Sequence, residues 1–100
     1  MSDTEVKSRD LVVTKLKEPS KYKVILLNDD VTPMDFVVAI LRGIFKHSEA
    51  SAIEVTMKIH NEGSGVAGIY TYEIAEQKAL DATLIARNNS YPLTIKVDEE

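Results

Sequence analysis

The stretch Leu27-Asn28-Asp29-Asp30-Val31-Thr32-Pro33-Met34 decides the fold, because the chain changes secondary structure inside it. Upstream, Tyr22 to Leu27 is an apolar, β-rich run that reads as a strand, its continuous apolar character suggesting burial on both faces. Downstream, Thr32 is placed to cap a helix and Pro33 to open it, where a missing N–H costs nothing. Between them stand three polar acceptors in a row, Asn28, Asp29 and Asp30, and after them the unbranched, flexible Met34. Such a junction can aim fixed carbonyl and carboxylate oxygens at a small cation beside an apolar hole.

Working outward, the helix that starts at Pro33 is expected to run to about Lys46. Phe36, Val37, Ile40, Leu41, Ile44 and Phe45 form one wide apolar stripe on it. Ser48 is placed to cap a second helix over residues 49–62, and Gly63 to end it in a left-handed turn. Ala52, Val55, Thr56 and Ile59 share that helix's inner face, with His60 one turn beyond Thr56 at its edge. Gly63-Ser64-Gly65 reads as a turn and Val66 to Thr71 as a strand. A third helix over 72–87 carries Ala75, Ala79, Ala82 and Ala86 in a small-residue row that permits close approach, and Asn88-Asn89-Ser90 breaks it. Leu93 to Val97 alternates apolar and polar and reads as a strand with one wet side. The order β-α-α-β-α-β describes a single compact α/β (α+β) domain, three helices packed on a three-stranded antiparallel sheet, over 21–100. Residues 1–20 read as a flexible tail. Their charges cancel, and their one aliphatic cluster, Leu11-Val12-Val13, has no sustained period. That arm is either solvated or captured by a partner through the aliphatic cluster.

Composition narrows the function classes. One hundred residues, 44% of them apolar, suffice for one core. No cysteine is present, which removes disulfides, thiolate nucleophiles and cysteine-held metals and suits the cytoplasm. A formal charge of −4 argues against a general nucleic-acid binder. No run reaches membrane-spanning length, and the first residues lack a basic-then-apolar leader.

Asp29-Asp30 with His60 could form a general acid/base or metal site, that is, a small metal-dependent hydrolase. The pattern is thin: His47 lies thirteen residues before His60, outside helical ligand spacing, and no serine occupies a nucleophile elbow. Gly63-Ser64-Gly65 lacks the strand-to-helix context of a phosphate loop. No metal or cofactor is expected. Turn and cap chemistry accounts for the paired aspartates taken alone.

The run Tyr22 to Val37, with its Asn28-Asp29-Asp30-x-Thr32-Pro33-Met34 block, resembles the signature of the ClpS family, adaptors of the bacterial N-end rule. His60 followed by Gly63, Gly68-Ile69-Tyr70-Thr71 with Glu73, Ala75-Glu76 and Lys78, and Tyr91-Pro92-Leu93 continue the resemblance in order and spacing. The resemblance implies a non-catalytic adaptor. It would bind proteins that begin with Leu, Phe, Tyr or Trp and deliver them to an AAA+ unfoldase, ClpA or ClpC, coupled to the ClpP peptidase. It implies further that Asn28, Asp29 (partly through water) and His60 hold the α-amino group, with Asp30 at the rim. Thr32, Met34, Val37, Thr56, Ile59 and Leu93 would line the side-chain pocket. Met34 would act as a gate against side chains branched at Cβ. Glu73 and Lys78 would dock on the unfoldase's N-terminal domain, and the tail would be engaged by its pore. A relative that binds the unfoldase without reading N-termini is the other form such a protein takes. A monomer is expected.

The chemistry is consistent with that implication. An α-ammonium with pKa about 8 offers three donors and wants three acceptors. An internal peptide N–H offers one donor and no charge, so such a site selects true chain ends. His60 must be neutral at its accepting nitrogen. Burying a Leu or Phe contributes about 1.5–3 kcal/mol, and micromolar or somewhat tighter affinity is expected after association entropy. Where relatives often carry Met on the second helix's pocket face, this chain has Thr56. That predicts a deeper or more polar pocket that favours Tyr or Trp over Leu. Ile59 replaces a common valine, a mild change, and His47 is given no role.

Overall fold

Strand β1 (Lys21–Leu27) is the centre of the molecule. The computed structural model describes residues 20–100, so the expected tail lies outside the described residues except for Ser20. After β1 come α1 (Met34–Gly43), α2 (Glu49–Glu62), β2 (Ser64–Thr71), α3 (Tyr72–Asn88) and β3 (Thr94–Glu99). The sheet is antiparallel throughout, in the order β2-β1-β3. Leu27 faces Ser64 on one side and Thr94 on the other, while Lys21 faces Thr71. The two ends of β1 therefore serve different neighbours. Asn28 leaves the sheet beside the end of α2, whereas α3 starts beside Lys21, about 20 Å away at the rise of a strand.

The core is one cluster. Val24 and Leu26 of β1, Val37, Ile40 and Leu41 of α1, Phe45 just beyond it, Ala52 and Ile59 of α2, and Leu93 are all buried together. The alanine row behaves as expected: Ala75, Ala82 and Ala86 are buried, Ala79 packs at their edge, and α3 touches β1, β2 and β3. Small side chains leave room for that approach.

Four expectations are corrected. β1 buries Val24 and Leu26 completely but leaves Ile25 and Leu27 half-buried, so only one face of the strand is fully covered. Helix α1 stops at Gly43, short of Lys46, because Lys46 takes a left-handed φ of 60° that no helix continues. Gly63 is the left-handed residue of the next connection (φ 97°), yet Ser64 and Gly65 are already paired with Leu27 and Leu26, so the turn is shorter than expected. β3 runs to Glu99, and Glu100 donates its amide to the Lys21 carbonyl.

His47, given no role from the sequence, has a structural one. The β1–β2 register slips between Val24 and Ile25, leaving Ala67 as an extra residue opposite β1. The His47 ring contacts that residue's carbonyl oxygen through Nε2 at 2.6 Å and the Ser51 hydroxyl through Nδ1 at 2.7 Å. It ties the bulge to the first turn of α2, which Ser48 caps by accepting from the Ser51 amide. Among the described residues no helix is long and apolar enough to cross a membrane.

Candidate functional site

The site grows from the polar block after β1. The Asn28 amide donates to the Gly63 carbonyl at 2.9 Å, and the Gly63 amide donates to the Ile59 carbonyl at the same distance. Two sequence signals meet in that pair of bonds: the end of the strand, and the left-handed glycine that closes α2. Asn28 is thereby fixed beside the last turn of α2, where His60 sits. Both side chains are exposed at the surface.

Asp29 organises the next turn. Its Oδ1 accepts from the Val31 amide at 2.8 Å and the Thr32 amide at 2.7 Å, and its Oδ2 accepts from the Thr32 hydroxyl at 2.8 Å. This corrects the expected role of Thr32. Its hydroxyl donates to Asp29 and does not cap α1; the N-cap position belongs to Pro33, which has no side-chain cap bond. Burial raises the Asp29 pKa, but the Thr32 and Val31 amides, the Thr32 hydroxyl and the charge of Arg87 outweigh it and hold the carboxyl below its ordinary 3.8. Asp29 is thus a fixed anion at neutral pH. Oδ2 keeps lone-pair capacity for a further donor, since an ionised carboxylate offers about four acceptor sites.

The apolar residues expected to line a pocket lie mostly in the core. Val37, Ile59 and Leu93 belong to the same buried cluster, and Thr56 is buried with them, 4% exposed. Met34 stands at the first position of α1 and is 38% exposed, so it lies outside the buried core. Asp30 is exposed at the surface. Among the described residues no group of three or more His, Asp or Glu side chains is gathered so that it could hold a metal, and Asp29, Asp30 and His60 form no such group.

Arg87 is a residue that the sequence reading missed. Its Nη1 donates at 2.8 Å to both the Tyr91 and the Leu93 carbonyls, which fixes the loop that presents Leu93. Phe36 packs edge-on against Tyr91 at 4.8 Å between ring centres, tying the same loop to α1. A basic residue in the last turn of a helix is the only local signal, and it says nothing of a partner six residues ahead.

The two α3 residues do not form one surface. Glu73 is exposed near the start of α3, beside a shallow groove of about 380 Å³ that Tyr72, Glu76, Gln77 and Leu80 also line. Lys78 lies five residues on, roughly 140° around the helix. Its Nζ donates to the Ile44 carbonyl at 2.9 Å and sits 5.4 Å from the centre of the Tyr70 ring.

Comparison with known proteins bears directly on this geometry. Residues 17–96 match the family described as ATP-dependent Clp protease adaptor protein ClpS. The chain belongs to the ClpS family. Relatives include the ATP-dependent Clp protease adapter protein ClpS of Bdellovibrio bacteriovorus, 49% identical over 89% of this chain and 78% of that one. The ClpS of Campylobacter jejuni subsp. doylei is 50% identical over 95% of this chain and 99% of its own. Among solved structures, Agrobacterium tumefaciens ClpS2 bound to L-phenylalaninamide superposes with a TM-score of 0.80 at 40% identity, covering 83% of this chain and all of that one. The family is one of adaptors, not catalysts, so the hydrolase reading of Asp29, Asp30 and His60 falls away.

Proposed function

We propose that this ClpS protein reads the first residue of its substrates, holding a free α-amino group at Asn28, Asp29 and His60 and a large apolar side chain between α1 and α2. The observation that supports this reading is the Asn28–Gly63 bond, which ties the start of the polar block to the end of α2, the helix that carries exposed His60 and buried Thr56 and Ile59. The ligand in the A. tumefaciens relative, L-phenylalaninamide, has the two required parts, a free amine and a benzyl group. Asp29 supplies the fixed negative charge, directly or through water, and Asn28 and His60 supply neutral acceptors. Asp30 adds negative potential at the rim. Thr32, Met34, Val37, Thr56, Ile59 and Leu93 surround the side chain. Met34, half outside the core, is positioned to exclude branching at Cβ.

The bound protein is passed to an AAA+ Clp unfoldase, ClpA or ClpC, through the exposed start of α3 at Glu73. Lys78 acts there by holding α3 against Ile44 more than by direct contact. Residues 1–20 serve as the arm engaged by the unfoldase, and the protein works as a cytoplasmic monomer. The test is degradation of a fluorescent reporter with an N-terminal Leu by ClpA–ClpP or ClpC–ClpP with and without this protein. Acceleration of the Leu reporter but not of a Ser-initiated twin is expected with one of the two unfoldases. Equal effects on both reporters would point to a modulator that binds the unfoldase without reading N-termini.

A further inference from the structure

Thr56 carries a polar atom with no partner. Its Oγ1 is fully buried and makes no hydrogen bond, the only such side-chain atom among the described residues. A threonine inside a helix ordinarily returns its hydroxyl to the carbonyl one turn back, here that of Ala52. Thr56 does not. An unmade hydrogen bond on a buried hydroxyl is a standing cost to the folded chain, and valine, of nearly the same shape, would avoid it. The position therefore calls for an explanation.

Placement supplies one. Thr56 and His60 are four residues apart on α2, so they stand in one column, His60 exposed at the top and Thr56 buried one turn below. Four residues of helix rise about 6 Å. That is close to the reach of a tyrosine side chain from Cα to its hydroxyl. A first residue held by its amine near His60 and directed into the core delivers the far end of its side chain to the level of Thr56. Ile59, Val37 and Leu93, buried in the core, are apolar, and Thr56 is the one buried polar side chain among the described residues.

We infer that the Thr56 hydroxyl is a specificity-determining group that completes its hydrogen bonding with the phenol of an N-terminal tyrosine; this rests on the N-terminal-residue reading above. Hydroxyl and phenol can each donate or accept, so one bond between them satisfies Thr56 whichever way the proton points. Phenylalanine fills the same space but leaves Thr56 unsatisfied. A site built to pair a ligand hydroxyl discriminates against the analogue that lacks it.

The test compares Tyr- and Phe-initiated peptides, with N-acetylated controls, on the wild type, Thr56→Val and Thr56→Ser, by fluorescence anisotropy. Thr56→Val is expected to lower the Tyr-to-Phe affinity ratio roughly five- to tenfold, the range for one neutral hydrogen bond, mostly by weakening Tyr. Thr56→Ser keeps the hydroxyl and retains the wild-type ratio. Binding of the Phe peptide to Thr56→Val serves as the check that the variant is folded, and Thr56→Ala gives the same fall in ratio if valine disturbs packing. Free-amine-dependent binding with the same ratio in wild type and Thr56→Val overturns the inference and leaves the N-terminal reading intact. Failure of the wild type to bind either free-amine peptide overturns both.

Discussion

Replacing Asp29 separates the turn from the charge. Asp29 holds three donors at 2.7–2.8 Å, the amides of Val31 and Thr32 and the Thr32 hydroxyl. In Asp29→Ala all three lose their acceptor. Val31 is exposed and its amide is rehydrated readily, while Thr32 is only half exposed. At about 0.5–1 kcal/mol net for each bond, the loss is about 2 kcal/mol. For a domain of this size that lowers Tm by roughly 8–16 °C. In Asp29→Asn the amide oxygen replaces Oδ1 and keeps both backbone donors, and the side-chain amine can donate to the Thr32 hydroxyl, so the loss is under about 1 kcal/mol.

Binding of a free-amine peptide separates the variants the other way. The Asp29→Asn change leaves the ammonium without its charged acceptor, and affinity is expected to fall roughly tenfold, about 1.4 kcal/mol. The depressed Asp29 pKa adds a second signature. Its stabilisation is fully present above the ordinary carboxyl value of 3.8 and is lost as pH falls through the lower folded value. Asp29→Asn removes that acid-side dependence and leaves stability near pH 7 little changed. Thermal unfolding across pH, with peptide anisotropy on the same samples, reads all three effects. If Asp29→Asn unfolds as early as Asp29→Ala, charge and not acceptor geometry holds the turn. If it binds peptide as tightly as the wild type, Asp29 is not an ammonium acceptor.

Three further outcomes are expected. Gly63→Ala must place a Cβ at φ 97°, a conformation that costs about 1–2 kcal/mol for an L-residue, although the space around it is open; the Tm drop in a thermal melt measures it. Lys78→Met removes the bond to the Ile44 carbonyl and is expected to cost about 1 kcal/mol in a denaturant melt. No loss of stability alongside lost unfoldase binding would make Lys78 a direct contact after all. His60→Leu removes one neutral acceptor from the proposed amine site and is expected to lower free-amine peptide affinity roughly tenfold in an anisotropy titration. Unchanged affinity would remove His60 from the site.

What could be read from the sequence was what neighbouring residues decide among themselves. The Ser48 cap, the left-handed Gly63 and the alanine row of α3 each rest on one residue type at one local position, and all three stand as expected. The polar block after β1 stood out for the same reason, being part of eight consecutive residues between a strand and a helix. Misreadings began where two local partners competed. Thr32 has the chemistry for capping but stands one residue before the N-cap position, and Asp29 three residues earlier takes its hydroxyl. Contacts between residues distant in sequence were invisible, namely the His47 bond to the bulged Ala67 and the Lys78 bond to Ile44, and so was the shorter-range Arg87 grip on the Leu93 loop, which no local pattern announces. The departure at Thr56 was visible as a residue type, but its unpaired hydroxyl depends on the burial that tertiary packing creates.

The most direct test of N-terminal recognition is a pair of affinities from one titration series. A labelled Leu-initiated peptide and its N-acetylated twin differ by one charge and two donors and share every apolar contact. The account predicts micromolar or somewhat tighter binding of the free amine, and loss of at least about tenfold on acetylation. Equal affinity for the two peptides would contradict it, because the Asn28, Asp29 and His60 acceptors would then have no part in recognition.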